Sequence, residues 1–189
     1  MDSGVTLRTF LALPLAPAFQ KEVEPLLEGL RRDYPGVRWV KGSEIHITLH
    51  FFGSVGQDEI GKITKIVNSV TGNIAPLQLS LGGIGAFPHP GKPRVVWLGA
   101  GGETEKLKGL RSALEREFRK AGFPCEEREF KPHLTLGRVK EGKKVTGLEK
   151  IEFKPTPEKR LSELVLFQSH LSPEGAHYER IATFPLSST

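Results

Sequence analysis

Apolar residues recur at helical spacing in three segments of the chain. In residues 18–32, Phe19, Val23, Leu26, Leu27 and Leu30 form one stripe that stops before Tyr34-Pro35-Gly36, and Pro25 inside it is expected to kink or divide the helix. Residues 58–70 carry Ile60, Ile63, Ile66, Val67 and Val70 at steps of three and four, with Gly72 as a stop. Residues 104–121 align Leu107, Leu110, Leu114 and Phe118, closed by Gly122. Between these helices, β-branched and aromatic runs predict strands at 7–13, 37–40, 45–52, 77–81, 94–98, 133–139, 161–171 and 178–184. Strands outnumber helices and do not alternate strictly with them, which points to an α+β fold rather than a doubly wound parallel sheet. No breaker segment is long enough for a flexible linker, so residues 1–189 are read as one domain.

Composition narrows the class. With 38% hydrophobic and 26% charged residues the chain is ordinary globular material, long enough to bury a core without staples. One cysteine, Cys125, excludes an internal disulfide framework and suits a reducing cytoplasm. The first residues lack a basic n-region and a small-residue cleavage site, and no apolar run approaches the roughly 20 residues of a spanning helix. Secretion and membrane insertion are not expected. A net charge of +5 is compatible with a polyanionic partner but does not identify one.

The informative feature is a repeat. His46-Ile47-Thr48-Leu49 recurs as His133-Leu134-Thr135-Leu136, 87 residues later, each copy inside a predicted strand. Alternate side chains of a strand share a face, so His46 with Thr48, and His133 with Thr135, stand on one surface while the aliphatic residues face a core. Histidine and hydroxyl then lie about 7 Å apart, a spacing into which a phosphate fits. Displacement at phosphorus needs one group to take a proton from the attacking oxygen and another to protonate the leaving oxygen on the opposite side. Two imidazoles meet both needs near neutral pH, and threonine hydroxyls can donate to the non-bridging oxygens.

Together with Arg8-Thr9-Phe10-Leu11-Ala12-Leu13-Pro14, Pro93-Arg94-Val95-Val96-Trp97-Leu98-Gly99, Lys131 to Arg138 and Glu163 to Ser169, the two motifs resemble the RNA 2',3'-cyclic phosphodiesterases. These are also called 2'-5' RNA ligases and belong to the two-histidine phosphoesterase superfamily. The resemblance runs from Leu7 to about Leu186. It implies two pseudo-symmetric lobes, with antiparallel sheets lining a central cleft and helices packed outside. It also implies hydrolysis of a 2',3'-cyclic phosphate to a 2'-phosphate without metal, ATP or other cofactor, and a reversible 2'-5' ligation. By the same resemblance His46 is the acid that protonates the 3' oxygen and His133 the base that activates water. The near symmetry of the motifs leaves those roles exchangeable. The partner so implied is RNA with cyclic phosphate ends, tRNA fragments among them, met by a cytoplasmic monomer.

Further candidates are weaker in chemistry. Arg138 could hold phosphate, although strict alternation puts it opposite His133 unless Gly137 relaxes the strand. Arg94 could meet a base or phosphate. Phe52 shares the parity of His46 and could stack on a base, as could Trp39 and Tyr178; packing is the competing role for these three. A metal site at His46 and His50 is disfavoured, because residues four apart on a strand are roughly 13 Å from each other. Gly82-Gly83 reads as a turn or bulge, and Cys125 as an inert thiol. Two competing functions stay open: a nucleotide or RNA binding module without turnover, and a phosphodiesterase acting on 2'-5' or other oligonucleotide linkages.

Overall fold

The computed structural model describes residues 5–172 and 175–187. Helix α1 (Pro17–Asp33) begins on a proline, where a missing N–H costs no intrahelical bond, and buries Phe19, Val23, Leu27 and Leu30. Pro25 does not divide it; the buried stripe continues on both sides of the forfeited hydrogen bond. Helix α2 (Gln57–Thr71) opens where the Glu59 carboxylate accepts from the Gly56 N–H at 2.8 Å, and buries Ile60, Ile63 and Val67. Helix α3 (Thr104–Lys120) buries Leu107, Leu110, Leu114 and Phe118 and is followed by Gly122 at φ +88°, a left-handed turn that suits glycine.

Among the described residues nine strands form two antiparallel sheets. The first has the order β3 (His46–Val55), β1 (Leu7–Pro14), β8 (Glu163–Ser172), β9 (Gly175–Pro185). The second has the order β2 (Val37–Trp39), β6 (His133–Val139), β5 (Val95–Gly102), β4 (Leu77–Phe87), β7 (Lys159–Leu161). The first sheet draws on both ends of the chain and the second on its middle, so the two lobes interlock. Gly82-Gly83 lies within β4, where the register against β5 shifts, and the strand continues to Phe87. A continuous buried cluster joins both sheets to all three helices, and β3 meets β6 where the sheets come together. Among the described residues no helix is long and apolar enough to cross a membrane.

His50 is one of the few polar side chains in this core, 5% exposed, with its ring against Phe52 and Phe118 at 4.5 and 4.8 Å. Burial, reinforced by the Arg111 guanidinium and opposed by a hydrogen bond with the Pro124 carbonyl, pushes it down to about 4. Between that value and the ordinary 6.5 the unfolded chain binds the extra proton, so stability is full above pH 6.5 and falls as pH drops toward 4. The shift corresponds to about 3 kcal/mol. His50→Leu is expected to flatten that part of a plot of Tm against pH relative to wild type; parallel curves would refute the assignment.

Candidate active site

The β3 strand aims His46 and Thr48 away from the core while Ile47 and Leu49 are buried, and β6 does the same with His133 and Thr135 against Leu134 and Leu136. Contact between β3 and β6 brings the two motifs together from different sheets. Each imidazole is held the same way: His46 Nδ1 lies 2.8 Å from the Glu44 carbonyl, and His133 Nδ1 lies 2.6 Å from the Lys131 carbonyl. A carbonyl can only accept, so Nδ1 carries the hydrogen in both rings and Nε2 keeps its lone pair for chemistry. The Glu44 side chain is engaged too, its Oε1 2.9 Å from His177 Nδ1.

Burial pushes His46 down to about 4, against the Glu44 hydrogen bond that favours the charged form, and His133 adds to the fall. Burial lowers His133 as well, opposed by its bond to Lys131. Both rings are therefore neutral near pH 7 in the free protein. An anion between them offsets the cost of charging whichever ring is to donate a proton. Thr48 and Thr135 share the histidines' surface, half-buried.

The two sides of the site differ. His46 sits in an aromatic cluster, with Phe10 at 4.8 Å, Tyr178 edge-on at 5.1 Å and Phe167 at 6.0 Å. Burial and the Glu44 carboxylate raise the Tyr178 phenol, partly offset by Arg138 and Arg8, so the phenol remains a hydrogen-bond donor. His133 is flanked by Phe87 at 5.0 Å and Trp97 at 6.2 Å. The Trp97 indole lies over Gly85, where a Cβ would come within 2.1 Å of Cζ2. A groove of about 640 Å³ opens beside His133 and includes Arg94.

Three placements depart from simple alternation. Against β1, strand β3 carries two irregularities: Leu11 pairs with His50 and Ala12 with Thr48, then Thr9 pairs with Gly53 and Phe10 with Phe51. The surplus residues reverse the parity. Phe52 is consequently 6% exposed in the core against Phe118 and Phe123, and Phe51, 43% exposed, takes the His46 face beside Phe10. Strand β6 has a similar irregularity, since Trp97 pairs with Thr135 but Val96 with Gly137 and Val95 with Arg138. Residues paired in register share a face, so Arg138 returns to the side of His133 and Thr135. Gly137 thus lies at the relaxation that Arg138 required.

Trp39 pairs with Gly137, on the opposite side of that sheet from His133. It covers the glycine, donates its indole N–H to the Tyr34 carbonyl at 3.1 Å and packs beside Val37, Val96 and Leu148, which removes it from the site. Conversely, Arg8, Phe10, Phe51, Phe87, Phe167 and Trp97 belong to the surroundings of the histidines. The shared parity of Arg8 and Phe10 with Ala12, which pairs with Thr48, is the signal that would have found the first two. His50 points into the core, away from His46. Among the described residues no group of three His, Cys, Asp or Glu side chains could hold a metal ion.

The chain matches the 2'-5' RNA ligase superfamily over residues 17–172, a span that includes both motifs. It is 34% identical to an RNA 2',3'-cyclic phosphodiesterase of Archaeoglobus fulgidus, over 94% of this chain and 99% of that one. A protein of the same name from Thermotoga maritima is 31% identical over 92% of each chain. The crystal structure of TT0787 of Thermus thermophilus superposes with a TM-score of 0.81 at 25% identity, covering 95% of this chain and 98% of that one. Escherichia coli LigT complexed with 3'-AMP shares the fold, with a TM-score of 0.76 at 22% identity over 96% and 99% of the two chains.

Proposed function

The chain belongs to the 2'-5' RNA ligase superfamily, and on that premise we propose that it hydrolyses RNA 2',3'-cyclic phosphate ends to 2'-phosphates. The observation that carries this reading is the pair of His-x-Thr strands meeting from two sheets, with both Nδ1 atoms committed to backbone carbonyls. The cyclic phosphate lies between the motifs. Thr48 and Thr135 donate to its non-bridging oxygens, and Arg138 adds a charge-assisted hydrogen bond. His133 Nε2 takes a proton from water as the oxygen attacks phosphorus, and His46 gives a proton to the departing 3' oxygen. The 2' oxygen keeps the phosphate. The two imidazoles supply both proton transfers, and the two hydroxyls with the Arg138 guanidinium supply the contacts to the phosphate oxygens, so the reaction requires neither metal nor nucleotide cofactor.

Tyr178 meets the nucleotide that carries the cyclic phosphate, and Arg94 meets RNA on the His133 side. The enzyme acts in the cytoplasm as a monomer, on RNA fragments such as cleaved tRNA. The test is a single-turnover incubation, with chelator, of a short RNA ending in a 2',3'-cyclic phosphate. A 2'-phosphorylated product at an undiminished rate is expected. RNA that binds and stays unprocessed, or activity abolished by EDTA, would overturn the reading.

A further inference from the structure

The groove beside His133 is larger than a water nucleophile requires. Its volume, about 640 Å³, is that of sites holding whole small molecules. Lys92, Arg94, Arg128 and Lys131 line it, and Phe87 and Phe130 supply aromatic surface. Two carboxylates, Glu126 and Glu129, also reach it, but Glu129 interacts with Lys108, and the cations outnumber them. Cationic side chains interleaved with aromatic ones suit a single nucleic-acid strand. His133 borders this groove, whereas His46 and Thr48 do not.

In-line displacement decides which strand belongs there. The entering and leaving oxygens lie on opposite sides of phosphorus, and the leaving 3' oxygen is part of the ribose that carries the cyclic phosphate. That ribose, its base and the RNA attached through its 5' carbon therefore lie toward His46 and the aromatic cluster of Phe10, Phe167 and Tyr178. The His133 side is left to the nucleophile.

We propose that the Lys92–Arg128 groove is an acceptor-strand subsite, which receives the 5'-hydroxyl end of a second RNA. This rests on the reading above, with His46 as acid and His133 as base. His133 removes the proton of the 5'-hydroxyl, the new P–O5' bond forms as the P–O3' bond breaks, and His46 protonates the 3' oxygen. The product is a 2'-5' phosphodiester; no co-reactant is consumed, since the strained cyclic ester supplies the leaving group. The same groove holds the downstream segment, whose 5' oxygen leaves, when such a linkage is cleaved.

The probe is a short RNA with a 5'-hydroxyl and a fluorescein at its 3' end, titrated by anisotropy into protein saturated with 2'-AMP. Saturable binding in the presence of 2'-AMP is expected. The double variant Lys92→Ala/Arg128→Ala should weaken it about tenfold and reduce the salt slope by about 2. Hydrolysis of 2',3'-cyclic AMP by that variant should change by less than about twofold, because the groove lies outside the phosphate contacts. The proposal fails if the RNA does not bind, if 2'-AMP displaces it completely, or if the variant binds it like wild type. It also fails if the variant slows hydrolysis of a long cyclic-phosphate RNA while sparing the mononucleotide, for the groove then holds the body of the cyclised strand. Failure of the underlying reading is separate: the wild-type protein would then hydrolyse no cyclic phosphate, whatever the RNA does.

Discussion

His46→Ala and His133→Ala are each expected to lower kcat on a cyclic-phosphate RNA by about 10²–10⁴-fold, the range in which a positioned acid or base contributes. The loss should appear in kcat more than in KM, because neither imidazole is charged in the free protein at neutral pH and neither dominates ground-state binding. The double variant should be little worse than the poorer single one, since acid and base act in one step. Wild-type rate should fall on the acidic side as the base gains its proton and on the alkaline side as the acid loses one, with both midpoints belonging to the coupled pair. Each alanine variant should lack one of those limbs. His46 is the ring that burial has pushed down to about 4, so its ability to donate depends on the phosphate beside it. If His46→Ala keeps the alkaline limb and His133→Ala loses it, the two roles are exchanged; if both variants turn over like wild type, the chemistry lies elsewhere.

Thr48→Val and Thr135→Val should each cost about 10²–10³-fold in kcat, the magnitude found when one fixed donor to a developing oxyanion is removed. Valine keeps the shape and the β-branch, and both positions lie on the cleft surface rather than in the core. The melting temperature is therefore expected to stay near that of wild type, and serine, which restores a hydroxyl, should recover most of the activity. A rate loss that serine fails to recover, or one matched by a fall in Tm, would assign these threonines to packing instead.

Local pattern and tertiary structure contributed differently to these expectations. The three helices follow from apolar stripes such as Leu107, Leu110, Leu114 and Phe118, because a helix turns on its own hydrogen bonds and its buried face has a fixed period. The orientation of each His-x-Thr pair followed from period-2 alternation over three residues, too short a stretch for an irregularity to intervene. Beyond those three residues alternation failed. Phe52 went to the core and Phe51 to the surface, because β3 pairs with β1 through two register shifts. Arg138 returned to the side of His133 through a shift against β5, and Trp39 was carried to the far face by its pairing with Gly137.

By itself, then, the sequence determined the element types and the two motifs, since each rests on residues close together in the chain, and the residue types in those motifs pointed to the proposed chemistry. It also carried enough of the family's residues to imply the reaction. Only the tertiary structure decided that the first sheet is assembled from both chain ends, that β3 meets β6, and that the His46 side is aromatic while the His133 side opens into a basic groove. Those features depend on which distant strands pair and in what register. A single surplus residue in one ladder reverses the side chains after it until a second restores them, as along β3, and its position is set by the partner strand rather than by its neighbours in the chain.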